Sequence, residues 1–140
     1  MCVGVKVSSN HIHVDPTNDH SDLRIAQVRV VFQLPRKIIP QLFPSPDEPT
    51  VPSHLAYVEW FTPIPTAPEG NSHLYKVSRL VQNGRRVASV ISVESILYSV
   101  HLLPRFEQDT RGWNTFTVLE LCHNFYINPF SNRDIFLLLS

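Results

Sequence analysis

The chain has 140 residues, and its basic and acidic side chains balance to a formal net charge of zero. A neutral chain exerts no global pull on phosphate backbones or anionic membranes, so nucleic-acid binding would require a local basic patch. The length fits one domain with a core large enough to fold without metal or disulfide staples, and an apolar content of 43% is ordinary for such a domain.

No apolar run approaches the roughly 18 residues of a membrane span. Met1 to Ser8 lacks the basic start and apolar stretch of a signal peptide. Two cysteines far apart, Cys2 and Cys122, are expected to be free thiols in a reducing, intracellular compartment. Twelve prolines against four glycines cut the chain into short pieces. Proline suits neither helix interiors nor central strands, which favours short strands joined by ordered loops.

In chain order, Val3, Val5 and Val7 alternate as a strand does. Residues 1–21 are read as an N-terminal extension holding this one strand, and residues 22–140 as a single β-rich domain. Leu23 to Phe32 is the clearest strand, with Val28, Val30 and Phe32 on one face. Leu23 and Ile25 have the opposite parity, which implies a bulge near Ala26. Pro35 to Pro52 carries six prolines and reads as an extended surface loop, part polyproline II.

Leu55 to Phe61 is strand-like and aromatic, and Leu74 to Leu80 is a further strand. Asn83-Gly84 is a hairpin signal. Val87 to Val93 has apolar residues on both parities, as a strand covered on both sides would. Glu94 to Tyr98 suits one turn, and Ser99 to Phe106 is extended. Thr117 and Glu120 fit a capping box, with Phe116 and Leu121 as its hydrophobic staple, so a short helix is predicted over Val118 to His123. Phe125 to Ile127 and Asp134 to Leu138 complete the strands. The expected fold is mainly β: a small antiparallel, partly open barrel with one short helix. Its core is expected to include Val28, Val30, Phe32, Val58 and Val90.

Candidate chemistry is sparse. His11, His13, Asp15 and His20 could gather near a metal, but no two-armed zinc spacing is present, and no metal or other cofactor is expected. Cys122 and His123 are adjacent in sequence and would diverge on a helix, so a buried structural thiol is the simpler reading. No serine-hydrolase elbow and no glycine-rich phosphate loop occurs, so no catalytic residue is assigned and the chain is read as a non-enzyme. Glu59 is the one carboxylate within an apolar strand, and Lys76 or Arg79 is its expected partner. Trp60, Tyr75 and Tyr57 are the candidate ligand-binding residues, an aromatic surface of the kind that takes methylated lysine. Arg79, Arg85 and Arg86 are the candidate nucleic-acid contacts.

Six blocks then carry a resemblance. They are Arg24 to Phe32, Leu55 to Phe61, Leu74 to Arg79, Val90 to Ile96, His101 to Phe106 and Phe125 to Phe130. Their series resembles the C-terminal region of transposase-like proteins of basidiomycete fungi, the Plavaka and KDZ types. The resemblance covers about Asp22 to Leu138. It implies an accessory region without the acidic catalytic triad that such proteins carry upstream, or a remnant of a mobile element. In rhythm, Tyr57 to Phe61 followed by Leu74-Tyr75 and Val90 to Ile96 is similar to bromo-adjacent homology domains, which are chromatin modules with a tryptophan at the matching place. The resemblances imply a non-catalytic interaction module that binds a peptide or chromatin protein, with DNA as the alternative partner and the nucleus as its location. Neither a small-molecule substrate nor a membrane is implied.

Overall fold

The computed structural model describes residues 1–7, 22–42, 44, 52–106 and 110–140. The fold is mainly β and antiparallel. Its main layer is a five-stranded sheet, ordered β7-β3-β2-β1-β8. These strands are β1 (Cys2–Lys6), β2 (Leu23–Phe32), β3 (Leu55–Trp60), β7 (Ala88–Ser92) and β8 (Ile96–Val100). The strand expected in the N-terminal extension is therefore present. It is no appendage, because β1 lies between β2 and β8 and pairs with both.

The sheet curls. β7 and β8 are its opposite edges, yet only the 3-10 turn Val93–Ser95 joins them. Laid flat, the outer strands of a five-stranded sheet would stand about 19 Å apart. The four steps from Ser92 to Ile96 span at most about 14 Å. The inner face of the curl packs Val3, Val5, Ala26, Ala56, Val58 and Trp60 against Val28, Ile91, Val93 and Ile96. The result is a partly open barrel, without a ladder between its edge strands among the described residues.

A second layer covers part of the outer face. It is a three-stranded sheet of β4 (Lys76–Ser78), β10 (Asn124–Ile127) and β9 (Leu102–Pro104) in that order. With it lie α2 (Val118–Leu121) and α3 (Arg133–Leu139). Between the layers sit Cys2, Ile25, Phe61, Val77, Leu102, Cys122, Phe125 and Ile135. Phe61 and Phe125 meet edge to face, with ring centres 5.7 Å apart. On β1, Gly4 lets its neighbours close in. A Cβ there would come within 3.2 Å of the Leu23 side chain and 3.4 Å of Tyr98.

The Asn83-Gly84 hairpin forms as expected, joining β5 (Val81–Gln82) to β6 (Arg85–Arg86). Both turn residues take positive φ, 50° and 72°, as the favoured two-residue turn requires. The expected helix is α2. Its capping box is not made: Thr117 gives no side-chain cap, and Asn114 Oδ1 instead accepts from the N–H groups of Phe116 and Thr117. The staple is absent too, since Phe116 is 90% exposed.

Three further expectations are corrected. Residues 134–138 form no strand; they belong to α3, whose cap is Asn132 Oδ1 accepting from the Asp134 N–H. The bulge in β2 falls between Val28 and Val30, at Arg29, and not near Ala26. It moves Val30 and Phe32 to the face opposite Val28. Of the five expected core residues, Val58 is fully buried, Val28 and Phe32 are partly so, and Val30 and Val90 are half exposed. Of the Pro-rich loop, the structure describes a turn and the one-turn helix α1 (Ile39–Leu42); residues 43 and 45–51 lie outside the described residues.

Candidate functional site

The three candidate aromatics go to three places. Trp60 points into the barrel, 9% exposed. Its indole Nε1 donates to Ser89 Oγ at 2.9 Å, and Arg24 stacks 5.6 Å from the ring centre. This burial removes Trp60 from any surface cage. Tyr57 shares the opposite face of β3 with Leu55 and Glu59, and it is 40% exposed. Tyr75 packs against the interlayer core.

The three candidate arginines also separate. Arg79 is buried between the layers. Its guanidinium donates to Gln27 Oε1 and, at 2.5 Å, to the Leu119 carbonyl, and it lies 4.5 Å over the Phe61 ring. Its Nη1 is 3.7 Å from Glu59. Burial lowers the Arg79 pKa, because a buried cation lacks solvation. Arg86 reaches both Glu59 at 3.0 Å and Glu120 at 2.9 Å. Of the three, only Arg85 stands exposed, on the hairpin. The cluster is thus tied into a structural clasp: Arg29 and Arg86 each reach both Glu59 and Glu120, and Arg79 faces Glu59, which joins β2, β3, β6 and α2. Arg79 is the partner of Glu59 that the sequence suggests, and Lys76 is not. Nothing local in the sequence marks Arg29 and Glu120 as members of the clasp, because their approach depends on the β2 bulge and on where α2 docks.

The remaining chemistry has a simple placement. Both thiols are buried, and burial pushes the Cys2 thiol above its ordinary range. The Cys122 thiol donates to the Asn124 carbonyl at 2.9 Å. His11, His13, Asp15 and His20 lie outside the described residues. Among the described residues, no three His, Cys, Asp or Glu side chains gather as metal ligands. No helix there is long and apolar enough to cross a membrane. A cleft of about 430 Å³ opens beside Met1 and Cys2, between the β8–β9 corner and α2, lined by Val100, Leu102, Leu119 and Phe125.

An open surface lies where the second layer stops. Beyond the Glu59–Glu120 clasp, the outer face of the main sheet carries a cross-strand row: Val30 pairs with Tyr57, and Tyr57 with Val90. Val30 and Val90 are 50% and 54% exposed. Val90 sits on β7, an edge strand. The edge polarity follows from its bonds: the Val87 carbonyl accepts from the Trp60 N–H, and the Val93 N–H donates to the His54 carbonyl. Odd-numbered residues of β7 therefore bond inward to β3. The backbone groups of Ala88, Val90 and Ser92 point outward, with no backbone partner among the described residues. An open edge beside an apolar row offers main-chain hydrogen bonds and side-chain contacts to an added strand. Compared with protein-family models, with curated proteins and with solved structures, the chain matches none.

Proposed function

We propose that the chain is a non-catalytic interaction module that takes up an extended segment of a partner protein along β7. Its derivation from a transposase-like protein rests on the six sequence blocks. The observation that carries the function is the open β7 edge flanked by Val30, Tyr57 and Val90. Main-chain bonds at such an edge supply affinity, and alternate side chains lying on the apolar row supply selectivity. This reading replaces a methyl-lysine cage, whose tryptophan is in the core. It also stands ahead of DNA binding, since Arg79 and Arg86 are engaged with Glu59 and Glu120.

A displayed library of short peptides, selected on the dilute domain, tests it. The expected binders alternate apolar and polar residues, shift the amide signals of Ala88, Val90 and Ser92, and are lost with Val90→Lys. Binders that shift only the cleft beside Met1, or a library that yields none, would overturn it.

A further inference from the structure

Resting on the reading of β7 as a recognition edge, we propose that the strand it takes up is β7 of a second copy, paired antiparallel about a two-fold axis through Val90. Three features of the edge fit that occupant. First, the outward-pointing residues Ala88, Val90 and Ser92 are symmetric about Val90. The two-fold pairing sets Val90 against Val90, and Ala88 against Ser92 of the second copy, so that each outward N–H meets a carbonyl. Second, the strand reads Ala-Ser-Val-Ile-Ser. It has none of the lysines, prolines or inward charges with which edge strands discourage self-pairing.

Third, the two ends of the edge carry opposite charge. Arg85 and Arg86 precede β7, and the exposed Glu94 follows it. The ladder ends at Ser92, where the chain turns, and the pairing centred on Val90 sets the exposed Arg85 that precedes β7 in one copy at the same end as Glu94 of the other, at both ends alike. A parallel pairing would set arginines against arginines and glutamate against glutamate. The same register also lengthens the apolar row. Val30, Tyr57 and Val90 of one copy run on directly into Val90, Tyr57 and Val30 of the other, flanked by the small side chains of Ala88 and Ser92. Two curled sheets then share one continuous ladder.

The test is sedimentation of the full chain over a range of concentrations, with variants whose folding is checked by circular dichroism. Val90 lies in neither apolar core, so its replacement leaves both intact. The wild-type chain is expected to be a concentration-dependent dimer. Val90→Lys sets two like charges on the axis and should weaken it by on the order of tenfold or more. Glu94→Arg should weaken it as well, and adding Arg85→Glu should restore it. In Val90→Cys the two axial residues would have Cα atoms about 5.5 Å apart, within disulfide range, so mild oxidation should yield a covalent dimer.

A chain that is monomeric at every concentration, with Val90→Cys also monomeric after oxidation, overturns self-pairing. A dimer indifferent to Val90→Lys does the same. If self-pairing fails while selected peptides still shift Ala88, Val90 and Ser92, the recognition edge stands with a different occupant. If neither is seen, both readings fall.

Discussion

Trp60 shows how one side chain decides between surface and core. On β3 its parity follows Ala56 and Val58, both fully buried, and its indole N–H is satisfied by Ser89. With its ring buried, its one donor paired and Arg24 near its face, the indole presents no surface to a ligand. Trp60→Ala should cost about 3 kcal/mol or more of stability. Denaturant unfolding measures it, and a loss below about 0.5 kcal/mol would put the ring outside the core. Arg79 is the companion case. As sequence, Arg79, Arg85 and Arg86 look alike around a hairpin; in the fold their burial runs from enclosed to exposed. Local sequence specifies the charge of each residue but not the carboxylates that long-range docking brings to it.

At the scale of elements, α2 depends on the clasp. It is a single turn, too short to persist alone. Its attachment comes from Val118 and Leu119 packing on the interlayer core and from Glu120 bridging Arg29 and Arg86. The hydrogen bond from Arg29, and then the Arg86 contacts, hold the Glu120 carboxyl below its ordinary pKa. The stability that this lowering contributes is present in full above the ordinary glutamate range. It is lost as pH falls through the lowered, folded-state value. Glu120 is partly exposed, so the effect is small and screened by salt. Wild type should therefore lose more stability than Glu120→Gln on acidification below about pH 5. Parallel pH melts check this; equal acid sensitivity would remove Glu120 from the clasp.

The element scale also shows what is legible in the sequence. The hairpin at Asn83-Gly84 and the strands at Leu23–Phe32 and Leu55–Trp60 follow from turn chemistry and alternation. The site of the bulge does not, because both faces of β2 carry valines and no clean polar alternation marks the shift. In α3, Ile135 to Leu139 is an unbroken apolar run that no period resolves. The Asn132-x-Asp134 cap is the signal that separates helix from strand there. For the open row at Val30, Tyr57 and Val90, no local pattern distinguishes an exposed valine from a buried one. Its exposure is set by where the second layer ends.

At the scale of the molecule, the pairing of β1 with β8 has a consequence for synthesis. β1 is made before the other strands, but one of its two neighbours is β8, which follows only far later along the chain. Until then β1 has its β8-side ladder unsatisfied, and Val93 and Ile96 have not yet closed the inner cluster. Contacts this distant in sequence are slow to form. A nascent chain is thus held incomplete through most of translation and gains its barrel late, near the emergence of Val100. Ribosome-stalled chains exposing residues only to Ser92 should be digested rapidly by a protease. Chains exposing residues through Pro104 should resist it measurably better. Equal resistance at the two lengths would mean that the first strands settle without β8.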